Sequence, residues 1–384
     1  DGRLAKDPYP TYGAMRSACP VQWSDRHGGH WVLVGYDGVS RAARDDANFL
    51  SAPGVNIPKA PINVIPLETD GPITQKYRAI LHHRFTPAAT QALAPAIRAR
   101  ADALVDGITE AGAGDLMTDV ATPLTAQTIL DIIGIPVDRA ADIVSWVHAI
   151  VHDMAHDPAA GLQAGVAIYQ EIANAIAAHR EGAPRDDALS DLLAARIDGE
   201  PLPDDILFKY VLLLIMGGMD TSAAALGNAV VRIDRDPDLR HRLLSEPDLM
   251  EFAVEEFLRI DSPVQGLGRT LAADVELEGQ TLRAGECAML VWAAANRDPA
   301  VYPNPDEIDL DRKVNRHLAF GVGPHRCLGS NLGRQMFRTL LETVLDRLPD
   351  FTIEGDPDEY RFADVGAVYA HRHLPVRFTP GTRC

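Results

Sequence analysis

Cysteine is scarce in this chain. Its 384 residues include four cysteines, Cys19, Cys287, Cys327 and Cys384, and no C-x-x-C pair. That is too few for a disulfide framework at this length, so a reducing, cytoplasmic setting is expected. Positive charge is also short. Lys and Arg total 36 against 54 Asp and Glu, a net charge of −18. No arginine- or lysine-rich run offsets this, so binding to nucleic acid is not expected. The opening residues, Asp1-Gly2-Arg3-Leu4-Ala5-Lys6, begin no apolar signal region. No period of roughly 20–50 residues repeats, which excludes solenoids and propellers. Low-complexity linkers are absent too. The Pro-rich patches at 51–66 and 299–305 are short and carry apolar residues, as ordered loops do.

Long apolar runs number one. Val211 to Ala229 holds a single formal charge, Asp220. A carboxylate at a bilayer centre costs about 3 kcal/mol, and no basic flank orients the segment. A buried core helix fits better than a membrane span. Apolar residues make up 46% of the chain, enough for a large core.

Helical patterns dominate after residue 70, at about 74–83, 87–111, 115–134, 138–156, 161–181, 187–196, 204–233 and 329–348. Strand signals occur in about 20–36, 263–295 and 350–384. Strands and helices do not alternate, which argues against a doubly wound parallel sheet. The expectation is one domain over 1–384, mainly α with a minor β portion.

The sharpest local pattern is Phe320-Gly321-Val322-Gly323-Pro324-His325-Arg326-Cys327-Leu328-Gly329. A loop rich in Gly and Pro delivers a cysteine to the start of a helix. Glycines allow positive φ and close backbone approach to a flat ligand. The helix start and Arg326 should favour a thiolate. Such a thiolate suits a nucleophile or a metal ligand. Zinc would need further Cys or His nearby, and none is present. A single axial bond to haem iron needs only the one cysteine.

These ten residues resemble the haem-ligand loop of the cytochrome P-450 superfamily, in its soluble bacterial type. Chance occurrence of F-G-x-G-x-x-x-C-x-G in a chain of this composition is on the order of 10⁻⁴. The resemblance runs from Asp7-Pro8-Tyr9-Pro10 to Leu374-Pro375-Val376-Arg377-Phe378. It implies the cytochrome P-450 fold, with haem b held by Cys327 and with Phe320, Gly321 and Gly329 shaping its slot. No flavin or iron–sulfur domain is expected.

A second motif lies inside the apolar helix, Met216-Gly217-Gly218-Met219-Asp220-Thr221. Two glycines there cost roughly 1 kcal/mol each, and a carboxylate beside a hydroxyl needs partners. A groove for a small ligand would account for both. The motif resembles the family's oxygen-binding helix, which implies that Asp220 and Thr221 guide protons to dioxygen. A third pair, Glu256 and Arg259, sits at i,i+3. It resembles the family's structural E-x-x-R pair. The further basic residue that relatives often supply aligns here with Glu307, so Arg297 or Arg312 is expected to substitute. Haem propionates imply cationic partners. The resemblance nominates Arg78, Arg269 and His325, with Thr74 where relatives often carry His.

The implied activity is insertion of one oxygen atom from O2 into a small apolar organic substrate, by hydroxylation or epoxidation. Electrons would come from NAD(P)H through a ferredoxin reductase and a ferredoxin, docking on Lys76, Arg84, Arg326, Arg334 and Arg338. Val64, Ile65, Leu214, Val264, Leu267, Val368 and Tyr369 are expected to line the substrate pocket. Two other haem-thiolate readings stand beside this one, a peroxygenase and a ligand-sensing protein. A divalent-metal module is a further alternative, because His148, His152 and His156 fall at i, i+4 and i+8 of the 138–156 helix.

Overall fold

The computed structural model describes residues 2–60, 62–362 and 368–383; Cys384 lies outside them. The apolar run forms the central helix, Asp204–Arg235. It packs on the helix Thr122–Ile133 and on the helix Ser330–Arg347, which follows the cysteine loop. Leu207, Val211, Ile215, Leu226 and Val230 are buried along it, as its all-round hydrophobicity requires. By length and composition it would cross a membrane, yet half of its apolar window is buried inside the protein.

The β portion is small. One sheet has five strands in the order Val21–Ser24, His30–Leu33, Cys287–Leu290, Leu267–Leu271, Phe49–Leu50. A second joins Thr352–Ile353, Pro375–Arg377 and Ala113–Asp115. The strands at 49–50 and 113–115 are too short to leave an alternating pattern, and the helix Tyr36–Arg44 also lies outside the sequence-based expectation. The expected 138–156 helix stops at Val151. Asp157 caps the next helix, Pro158–Glu181, by accepting from the Ala160 N–H, and Pro158 starts it. His156 therefore falls in the turn beyond the helix, and the three histidines do not share one helical face. Among the described residues no group of three or more His, Cys, Asp or Glu can hold a metal, which overturns the metal-module alternative.

Two buried ionic centres brace the chain beside the cysteine loop. Arg259 is fully buried and uses all five of its N–H donors. Nε and Nη2 reach the Glu256 carboxylate at 2.9 and 2.8 Å. Nη1 donates to the carbonyls of Asn296 and Pro305, and Nη2 also to that of Glu307, at 2.7–3.0 Å. Glu256 accepts in addition from the Asp309 N–H, from Asn315 Nδ2 and from Arg312 Nε. Arg312 is thus the substitute cation, and Glu307 contributes only its carbonyl. Arg297 serves the second centre, donating to Asp261 at 2.9 Å. Arg232 grips the same carboxylate at 2.7 and 2.9 Å.

Burial raises the Asp261 carboxyl, but Arg232 and Arg297 outweigh it and bring it down to about 2. A depressed carboxyl contributes stability above its unfolded value, and that contribution is lost as pH falls toward 2. Urea midpoints should therefore drop between about pH 4 and 2. Asp261→Asn should flatten that limb while lowering the midpoint at pH 7. Arg259→Leu leaves Glu256 with a buried charge short of its main partner and should cost about 3–5 kcal/mol, read from the same curves.

Candidate functional site

The cysteine loop closes on itself. The Cys327 N–H donates to the Phe320 carbonyl at 2.8 Å, and the Gly321 N–H to that of Leu318 at 2.8 Å. Gly321 and Gly323 take φ of 64° and 81°, and a Cβ on Gly323 would stand 2.5 Å from the Ala43 carbonyl oxygen. Asn296 fixes the approach to the loop. Its Oδ1 accepts from the Leu318 N–H at 2.6 Å, and its Nδ2 donates to Ser262 Oγ at 2.7 Å. Glu255 accepts from His317 and Arg334, and the Arg334 guanidinium lies 4.4 Å over the Phe320 ring. Asn296 and Glu255 escaped the sequence reading; the doubled Glu255-Glu256 was the available signal.

Cys327 faces a cavity between this loop and the central helix. The walls include Gly217, Gly218, Thr221, Arg78, Arg269, His325, Phe320, Gly321 and Gly329, together with Leu214, Val264 and Leu267. Burial pushes the Cys327 thiol up, against a hydrogen bond from the Gly329 backbone and the charges of Arg78, Arg326 and Arg334. The protein alone therefore does not favour the thiolate expected from the sequence. A bound metal ion would deprotonate it.

The two glycines of the central helix differ in role. A Cβ on Gly217 would meet nothing within 4 Å, so that face is open to the cavity. A Cβ on Gly218 would lie 2.4 Å from Ile129, so that face is a helix contact. The Thr221 hydroxyl donates back to the Gly217 carbonyl at 3.0 Å, and the helix continues unbroken. Asp220 is buried and turns to the helix Ala140–Val151. His152 Nε2 is 3.1 Å from its Oδ2, and His148 Nε2 is 3.3 Å from its Oδ1. Burial raises the Asp220 carboxyl, but the two histidines hold it well below the usual carboxylate range.

The cations of the cavity are short of anions. Arg269 is buried, and its Nη1 donates to the carbonyl of its neighbour Gly268 at 2.7 Å. Desolvation lowers its guanidinium to about 10. His325 Nε2 is buried without a hydrogen-bond partner, with Asp70 4.0 Å away. Arg78 donates to the Arg326 carbonyl at 2.6 Å. These orphaned donors, the open space over Gly217 and Gly329, and a single cysteine fit a flat dianionic iron macrocycle.

Several expected site residues lie elsewhere. Thr74 is buried, and its hydroxyl is 2.9 Å from that of Thr69. Thr69 spends its own proton on the Pro66 carbonyl, so Thr74 is the donor of that pair, and Thr74 does not line the cavity. Ile65 is buried in the main core and Val64 packs against it; the next two residues, Pro66 and Leu67, line the cavity instead. The Glu68 carboxylate accepts from the N–H groups of Val55 and Val64, which sets that turn. Val368 bridges Val264 and packs on Ala224 and Phe362. Tyr369 packs with Tyr9 and Ala293 and donates to the Lys6 carbonyl. Neither lines the cavity. Most of the expected docking cations are internally paired: Lys76 with Asp198, Arg84 with Asp186 and Asp191, Arg334 with Glu255, Arg338 with Glu342.

Residues 127–362 match the family described as Cytochrome P450. The chain belongs to the cytochrome P450 family. It is 32% identical over 381 residues to the steroid C26-monooxygenase of Mycobacterium tuberculosis strain H37Rv, covering 98% of this chain and 95% of that one. Identity to the vitamin D(3) 25-hydroxylase of Pseudonocardia autotrophica is 31%, over 99% and 96% of the two chains. Among solved structures, CYP109E1 from Bacillus megaterium in complex with testosterone superposes with a TM-score of 0.89 at 27% identity, covering 98% and 99%. CYP268A2 of Mycobacterium marinum in complex with pseudoionone gives 0.90 at 29%, covering 97% and 95%. The P450 assignment makes the protein an oxidoreductase, a haem-dependent monooxygenase that uses O2, organic substrates and redox partner proteins.

The glycine pair gives a paired test. Gly218→Ala should lower stability by about 1–3 kcal/mol through overpacking against Ile129. Gly217→Ala should leave stability equal or raise it by up to about 1 kcal/mol. Urea unfolding of both variants checks the contrast.

Proposed function

We propose that this P450 uses haem b bound through Cys327 to hydroxylate or epoxidise an apolar sterol- or terpenoid-sized substrate in the cytoplasm. NAD(P)H would supply electrons through a ferredoxin reductase and a ferredoxin. One observation carries the reading: Cys327, Thr221 and the anion-seeking Arg269 line the same cavity.

Haem, when bound, supplies the activation of O2 and the oxygen transfer. The protein's residues do the rest. Arg269, Arg78 and His325 would hold the two propionates by charge-assisted hydrogen bonds. Phe320, Gly321 and Gly329 keep the loop close to the macrocycle. Thr221 has spent its proton on Gly217, so its oxygen remains able to accept a hydrogen bond on the cavity side. Asp220, one residue before it and held as a carboxylate, would take up a proton from its histidine partners and pass it on. Glu256 and Arg259 keep the segment leading to the loop in place.

Leu213, Leu214, Pro263, Val264, Leu267, Pro66 and Leu67 make the substrate side of the wall apolar. The named substrates of the relatives, a steroid and vitamin D(3), support the same class. For the ferredoxin, internal pairing leaves exposed Arg326 as the docking cation best supported among those expected.

Cys327→Ser should abolish the thiolate-type carbon monoxide spectrum of the ferrous protein; an unaltered spectrum would remove the ligand assignment. Thr221→Ala, assayed with testosterone as probe, should divert electrons from product to hydrogen peroxide. Equal coupling in variant and wild type would take Thr221 out of proton delivery.

A further inference from the structure

Asp220 has a second attachment that the haem site does not require. Both of its carboxylate oxygens are met by imidazoles from the end of the helix Ala140–Val151. A carboxylate only accepts, so each Nε2 carries a hydrogen. The two rings differ in their surroundings. His152 has no exposed side-chain surface and stacks on Phe362 at 3.6 Å and 11°. Its Nδ1 is buried without a hydrogen-bond partner. His148 keeps about 20% of its side chain exposed. The charged neighbours are Asp153, next in sequence, and Arg372, which pairs with Asp153 and lies 4.5 Å over the Phe362 ring. Phe362 also packs edge-on against His148 at 5.3 Å.

We propose that His152 and His148 are positioning residues for Asp220 with divided tasks: His152 fastens the carboxylate to the end of its helix, and His148 exchanges its proton with solvent. The proposal rests on the reading of Asp220 as a proton relay toward the cavity.

The geometry supports each half. His152 has no second partner and no solvent, so it can hold Asp220 but cannot pass protons onward. His148 touches both Asp220 and water. Starting as a carboxylate, Asp220 takes the Nε2 proton of His148 as Nδ1 of His148 takes one from water, and it returns to the carboxylate when that proton passes on toward the cavity. The ring then ends neutral in its other tautomer, exchange with water restores the first, and one proton has entered from solvent. No electron moves. The same contact ties two motions together. The turn 152–157 joins this helix to Pro158–Glu181, so opening there pulls His152 from Asp220. Proton supply is then complete only while the turn is docked.

Both halves are tested on the haem-loaded protein. For the clamp, amide hydrogen exchange is followed over 148–157. His152→Phe and Asp220→Asn should each speed exchange there by about tenfold or more, the loss of a buried hydrogen bond to a charged group. His152→Gln, which can still donate, should restore much of the protection. Equal exchange in wild type and His152→Phe overturns the clamp. For the exchange role, NADH oxidation is driven by a heterologous ferredoxin and its reductase without organic substrate. The share of electrons released as hydrogen peroxide is measured at several values between about pH 5.5 and 8. Wild type should show a pH-dependent share. His148→Gln should raise the share about twofold or more and flatten its pH profile. An unchanged share and profile overturn this role. If the wild-type protein lacks the thiolate-type carbon monoxide spectrum, the haem-thiolate reading fails instead, and the exchange measurement still decides the clamp.

Discussion

The buried pair of Glu256 and Arg259 is the constraint on which the haem side of the molecule depends. A guanidinium with five fixed donors and a carboxylate with several lone pairs can both be satisfied in a dry interior only if partners converge from well-separated segments. Here those partners are the carbonyls of Asn296, Pro305 and Glu307, the Asp309 N–H, Asn315 and Arg312. All of them come from 296–315, a stretch with almost no regular structure of its own. The pair therefore does for this stretch what a ladder of backbone hydrogen bonds does for a sheet. The loop that presents Cys327 begins where this bracing ends. Its first anchor, the Leu318 N–H on Asn296, belongs to the same network, because Asn296 also supplies a carbonyl to Arg259.

The central helix translates this rigidity into a site. Its two glycines act on opposite sides. Removing the Cβ at 218 lets the helix lie against Ile129, and removing it at 217 leaves room in the cavity. Thr221 follows one turn after Gly217 on the same face, while Asp220 is rotated about 100° away and meets the neighbouring helix. A hydroxyl in the cavity and a carboxylate at a helix interface are thus the direct result of adjacent positions on a 3.6-residue turn.

What the sequence made legible follows from range. The cysteine loop, the long apolar helix and the Glu256–Arg259 spacing are local patterns, and each lies where the periodicity places it. Partners brought together over long separations left no local trace. Arg312 stands 56 residues from Glu256, and His152 stands 68 from Asp220. The i, i+4 spacing of His148 and His152 was visible, but it signals a metal or a solvated face as readily as two donors for one distant acid. The pocket residues Val64, Ile65, Val368 and Tyr369 were misplaced for another reason. In turns and isolated bridges a shift of one or two residues exchanges wall for core, and no periodic pattern fixes that phase.

Charge explains why the site must be filled to be at ease. The chain carries 54 acidic residues, yet none lines the cavity among the described residues, where Arg78, Arg269 and His325 stand. Desolvating a cation without an anion is costly, and the lowered value of Arg269 records that cost. The nearby acid relieves it only in part: the Asp70 charge acts on Arg269 against the desolvation, but its oxygens are spent on the Ser51 and Ala52 N–H groups and come no nearer His325 than 4.0 Å. A ligand with two carboxylates removes the penalty, and its binding then adds to folding stability by mass action. The same logic covers the cysteine, whose thiol burial keeps protonated until a metal ion claims it. Cations short of anions and a thiol short of a metal are two halves of one demand, and a single iron macrocycle with two propionates meets both.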